Sequence, residues 1–118
     1  MTASFLVDAD SLQDGIRELR VTGELDQATV PDLEAPLLAA IDSDAQAILV
    51  NLTDCEFIDS TGLGLLVNAR ERLTAANGRH FGVCCPHEQV RRLLEITGID
   101  QAIDLHETRD GALEALRS

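Results

Sequence analysis

The chain has no lysine, no tryptophan, no tyrosine and only three phenylalanines among its 118 residues. So few aromatic rings leave little material for base-stacking platforms or aromatic sugar-binding faces. Positive charge is also scarce: nine basic residues, all arginine, stand against 21 acidic ones, a formal net charge of -12. Binding to nucleic acid requires phosphate neutralisation, so this balance argues against direct DNA or RNA contact. An anionic membrane surface would repel the chain for the same reason. No apolar run approaches the roughly 20 residues that cross a bilayer. The first fourteen residues already carry Asp8, Asp10 and Asp14, which does not suit a signal peptide. Three cysteines, Cys55, Cys84 and Cys85, are an odd number without repeated spacing, so no disulfide framework is expected. The expectation is a cytoplasmic protein with reduced thiols.

What is present is ordinary globular material. Hydrophobic residues make up 45% and charged residues 25%, and a chain of this length can bury a core as one domain over residues 1–118. Strand and helix signals alternate along it. Ser4 to Asp8 reads as an edge strand, Asp14-Gly15 as a hairpin turn, and Ile16 to Thr22 as the second strand, broken by Gly23-Glu24-Leu25-Asp26. A helix is expected from about Ala28 to Ile41, with Pro31 in its first turn and Pro36 an awkward interior residue. Ala47 to Leu52 is almost wholly apolar, as a strand covered on both faces would be. A loop from Thr53 to Asp59 then leads to a helix from Ser60 to the stop signal Asn77-Gly78. His80 to Cys85 reads as a strand, Pro86 to Thr97 as a helix stopped by Gly98, Ile103 to Leu105 as a strand and Thr108 to Leu116 as a helix. This order predicts an α/β fold: a mostly parallel mixed sheet of four to five strands, with an N-terminal β-hairpin, packed against about four helices. In such sheets the loops leaving the strands' carboxyl ends share one edge. Gly23 to Asp26, Thr53 to Asp59 and the turn at Pro86 should therefore converge.

One segment on that edge carries chemistry. Asp59-Ser60-Thr61-Gly62-Leu63-Gly64 joins a buried strand to a helix. Ser60 stands where an N-cap belongs, with Asp59 and Thr61 as competing caps. A helix cap with two glycines for close packing would account for part of the pattern. A capping box would place Glu or Gln at position 63, which is Leu63, and glycine in a helix costs about 1 kcal/mol relative to alanine. A helix N-terminus stabilises an anion through its free N–H groups, so a phosphate on Ser60 could be held near Gly62 and Leu63, with Asp59, Glu24 and Asp26 around it.

Asp59-Ser60-Thr61-Gly62-Leu63-Gly64, preceded by Gly23-Glu24-Leu25-Asp26, resembles the STAS domain, most closely that of bacterial anti-sigma factor antagonists, over essentially the whole chain. The resemblance implies that Ser60 is phosphorylated by a partner that is both anti-sigma factor and serine kinase. It implies that the unphosphorylated form binds this kinase and frees the sigma factor, and that a serine phosphatase of the metal-dependent class restores it. Asp59, Thr61 and Gly62 become the phosphosite loop, and Glu24, Asp26, Asp59 and Leu63 the candidate partner-binding residues. Thr61 stands where some members have a second serine. The other role implied by STAS-like domains is a binding subunit of a stress-signalling or lipid-transport complex, acting without phosphorylation.

Enzymatic and metal-binding readings have less behind them. There is no G-x-S-x-G elbow, no P-loop and no G-x-G-x-x-G, and no motif places a histidine beside Ser60. Glu56 and Asp59 read as a solvated acidic loop. His80, Cys84, Cys85 and His87 lack C-x-x-C spacing, and strand alternation would put Cys84 on one face and Cys85 on the other. No enzyme activity, cofactor or metal is expected.

Overall fold

The computed structural model describes residues 5–117 apart from 13, 76 and 77. Five strands form one mixed sheet in the order β1-β2-β3-β4-β5: β1 Leu6–Ser11, β2 Ile16–Leu25, β3 Ala47–Ile58, β4 His80–Cys84 and β5 Asp104–His106. Strands β1 and β2 form the expected antiparallel hairpin, and every later pairing is parallel. Gly15 supplies the left-handed turn residue of the hairpin, at φ +75. Four α-helices complete the fold: α1 Val30–Asp42, α2 Ser60–Ala75, α3 Glu88–Ile96 and α4 Arg109–Arg117, with a 3-10 turn at Ile99–Gln101.

The apolar pattern of each strand explains the layering. Ile48, Val50 and Leu52 of β3 point into the larger core with Leu19, Val21, Leu33, Leu37, Leu66 and Phe81, under α1, α2 and α3. Alternate residues Ala47 and Leu49 point to the opposite face, where Ala112, Leu113 and Leu116 of α4 cover them. That smaller face also holds Glu18 and Asn51, the buried polar side chains among the described residues. Arg109 reaches Glu18 through two N–H groups, each 2.9 Å from a carboxylate oxygen, and Asn51 Nδ2 donates to the same carboxylate at 2.9 Å.

Several boundaries differ from the sequence reading. Gly23-Glu24-Leu25 does not break β2. The strand absorbs these residues through irregularities in its register with β3, between Arg20 and Thr22 and between Gly23 and Glu24. Gly23 sits there at φ +104, a backbone angle that glycine tolerates. Thr53 to Ile58 is likewise not a loop. It continues β3, because Glu24 and Leu25 extend far enough to pair with Phe57 and Ile58. Pro36 lies inside α1. The amide it lacks would have bonded Asp32, an exposed residue whose carbonyl water can serve. Strand β1 starts at Leu6, β4 stops at Cys84, β5 is shifted one residue onward, and α3 begins at Glu88 rather than Pro86. Ser4 and Asn77 lie outside the described residues.

Candidate functional site

The carboxyl ends of β2, β3 and β4 do meet. The Asp59 N–H donates to Leu25 O at 3.1 Å, which carries the β2–β3 pairing into the start of α2. His87, just after β4, places Nε2 2.7 Å from the Thr53 carbonyl oxygen. The three segments expected to converge are thus tied by hydrogen bonds.

Asp59 is the hub of this edge. One carboxylate oxygen, Oδ1, accepts from the Gly62 N–H at 3.1 Å and from the Thr61 hydroxyl. The other, Oδ2, accepts from the Gln27 N–H at 3.1 Å. Asp59, not Ser60, is therefore the side-chain cap of α2, and Leu63 N–H closes the first turn on Asp59 O at 3.0 Å. The Thr61 hydroxyl, then the Gly62 and Gln27 amides, hold the Asp59 carboxyl below the usual aspartate range.

With Asp59 in the capping role, Ser60 is left over. It is exposed, and its hydroxyl makes no hydrogen bond with another described residue. Thr61 is also exposed, but its hydroxyl is committed to Asp59. Gly62 is buried because the helix start presses on β2: a Cβ there would lie 2.9 Å from Leu25 Cγ and 3.0 Å from Ile58 Cγ2. Gly64 has nothing within 4 Å of such an atom.

The remaining candidates separate by burial. Glu24 is exposed beside Phe57. Asp26 is half-buried and folds back on its own turn, its Oδ1 accepting from the N–H groups of Ala28 and Thr29 at 2.9 and 3.1 Å. Leu63 is only 3% exposed and packs in the larger core. Its expected place among partner contacts is corrected accordingly, since the helix turns that side chain onto the sheet. Among the described residues no three His, Cys, Asp or Glu side chains group as metal ligands. His80 and His87 stand at opposite ends of the β4 segment.

Sequence reasoning missed four residues here. Gln27 bonds Asp59, and Thr29 locks the preceding turn by donating to Glu24 O at 2.7 Å. Asp26 and Thr29, three apart, are a recognisable capping pair that could have been found. The His87 contact depends on long-range geometry. So does Phe57, 47% exposed despite the shortage of aromatics, which borders a groove of about 200 Å³ with Glu56, Ile58, Gln89, Val90 and Leu93.

Residues 11–112 match the STAS domain. The chain belongs to the STAS domain family. An anti-sigma-B factor antagonist of Staphylococcus aureus is 37% identical over 95 residues, which cover 80% of this chain and 87% of that protein. The crystal structure of an anti-sigma factor antagonist from Mycobacterium paratuberculosis superposes with a TM-score of 0.91 at 32% identity, covering 100% of both chains. The Bacillus cell fate determinant SpoIIAA in its phosphorylated form shares the fold, with a TM-score of 0.72 at 24% identity over 95% of this chain and 100% of that one. In this STAS domain, as among its described residues generally, no helix is long and apolar enough to cross a membrane.

Proposed function

We propose that this STAS domain is an anti-sigma factor antagonist that works by partner switching. Unphosphorylated, it binds an anti-sigma factor that is also a serine kinase, and the sigma factor is released. Phosphate on Ser60 ends the binding, and a serine phosphatase of the metal-dependent class restores it. The domain acts through binding and does no chemistry of its own.

The observation that carries this reading is the contrast between adjacent hydroxyls. Ser60 is exposed and its hydroxyl bonds no other described residue, while Thr61 is engaged by Asp59. A kinase that docks on this edge meets one free acceptor. Phosphate there adds about -1.5 to -2 charges to an edge that already carries Glu24, Asp26, Glu56 and Asp59. The α2 amides offset part of that charge, so the fold tolerates it. A partner whose surface complements the unmodified edge loses that complementarity. Glu24 and Phe57, both exposed, are the side chains proposed to touch it, with Asp26 and Asp59 shaping the turn between them.

Titration calorimetry against the serine-kinase anti-sigma factors of the same genome tests this. Ser60→Ala should bind the cognate kinase as the wild type does. Ser60→Asp should bind at least about tenfold more weakly, a loss of about 1.4 kcal/mol, with an unchanged circular dichroism spectrum. Equal affinity of the wild type and Ser60→Asp would overturn the proposal.

A further inference from the structure

At the carboxyl end of β4, on the face of the sheet that α4 covers, lies a pair of thiols that the proposed partner switching does not use. Strand alternation would send the side chains of Cys84 and Cys85 to opposite faces. The structure does otherwise. Cys85 follows the last residue of β4 with φ +62, the one non-glycine positive φ among the described residues. This backbone turn brings Cys85 into the same small core as Cys84, beside Ile16, Leu49 and Leu113. The two side chains, adjacent in the chain, thus pack against one apolar cluster instead of two. Residues in the left-handed region persist only where their surroundings impose them, and they concentrate at functional positions. Here the surroundings are a ladder bond, Cys85 N–H to His106 O at 3.0 Å, followed at once by the buried Pro86. The third cysteine, Cys55, lies in the other core and donates to Phe57 O at 3.5 Å.

We propose that Cys84 and Cys85 are a peroxide-responsive pair that closes reversibly into a vicinal disulfide. Cys85 is half-exposed and Cys84 fully buried, which fixes their order of action. The Cys85 sulfur, as thiolate, attacks an oxygen of a hydroperoxide. The O–O bond breaks, Cys85 becomes a sulfenic acid, and the departing alkoxide or hydroxide takes up the thiol proton. The Cys84 sulfur then attacks the Cys85 sulfur, the S–O bond breaks, and the hydroxide leaves as water with the Cys84 proton. The two thiols have lost two electrons and the peroxide has gained them. Burial pushes the Cys84 thiol up, so it is a poor first nucleophile and acts as the resolving partner. Neighbouring α-carbons are about 3.8 Å apart across a trans peptide, shorter than the usual disulfide span of about 4.4–6.8 Å. The ring is therefore strained and readily reduced, as a sensing bond should be.

The test is peptide mass mapping of the wild type, Cys84→Ala and Cys85→Ser after stoichiometric hydrogen peroxide, with dimedone as the sulfenic-acid probe. The wild type should lose two hydrogens at the Cys84–Cys85 peptide, regain them with dithiothreitol, and take up little dimedone. Cys84→Ala should be labelled by dimedone at Cys85. Cys85→Ser, altered at the more exposed position, should show no oxidation at Cys84, and Cys55 should be untouched in all three. Equal dimedone labelling of Cys85 in the wild type and Cys84→Ala would overturn the proposal. So would wild-type products that are only intermolecular disulfides or irreversible sulfinic and sulfonic acids.

Discussion

Gly62 at the start of α2 presses directly on Leu25 at the end of β2, leaving 2.9 Å between a would-be Cβ and Leu25 Cγ. This contact joins the two sequence motifs physically. Gly23-Glu24-Leu25-Asp26 provides the wall, and Asp59-Ser60-Thr61-Gly62 the helix start that leans on it. The position of Ser60 thus depends on a residue 35 positions earlier in the chain.

The two glycines of α2 should therefore respond in opposite ways to alanine. Gly62→Ala forces a methyl against buried Leu25 and Ile58, and overpacking of this kind costs about 1–3 kcal/mol. Gly64→Ala has open space and should stabilise the helix by about 1 kcal/mol. Urea denaturation of both variants checks the pair. If Gly64→Ala also weakens kinase binding, the open space over Gly64 belongs to the partner.

Asp59 should be more sensitive than its exposure suggests. Asp59→Ala removes the cap of α2 and the tie to Gln27 together. Amide exchange should quicken at Gln27 and Gly62, whose N–H groups donate to this carboxylate, while the centre of the sheet stays protected. Unchanged exchange at those two amides would remove Asp59 from its central place.

Acid should unfold the protein through two carboxylates. Glu18 is held below the usual glutamate range, first by its hydrogen bond from Arg109 and despite its burial, and Asp59 is likewise lowered. A carboxyl with a depressed folded value contributes its stabilisation fully above its unfolded value. The contribution is lost as pH falls through the folded value. Stability should thus be flat near neutrality and decline below about pH 4, the ordinary carboxylate range. Arg109→Ala should lower stability at pH 7 by about 1–3 kcal/mol, toward the low end because the arginine is partly exposed. It should also flatten the acid limb. Denaturation midpoints between neutral and acid pH measure both.

Phe57→Ser should separate binding from folding. The side chain is half exposed at the groove beside α3, so the melting temperature should move little. Kinase affinity should fall about tenfold, as removal of an aromatic anchor commonly gives. Calorimetry beside a thermal melt distinguishes this from simple destabilisation.

Much of this was legible in the sequence because apolar periodicity reports burial directly. The hairpin at Asp14-Gly15, the doubly covered run from Ala47 and the helix starting at Ser60 all follow from local pattern. The extension of β2 and β3 did not. Glycine at 23 and acidic residues at 24, 54 and 56 look like loop material, and only their mutual pairing makes them strand. The cap of α2 was misassigned between neighbours for a similar reason. Asp59 and Ser60 both suit that position, and the choice rests on the distant Gln27 amide and on the Thr61 hydroxyl. The side of the sheet taken by Cys85 depends on one dihedral angle that no periodicity encodes.

The most direct test of the central claim is phosphosite mapping by intact-mass and fragment spectrometry after coexpression with the genome's serine-kinase anti-sigma factors. One phosphate on Ser60, absent from Ser60→Ala, is the predicted result. Phosphate on Thr61, or a stable complex with no phosphate at all, would contradict it.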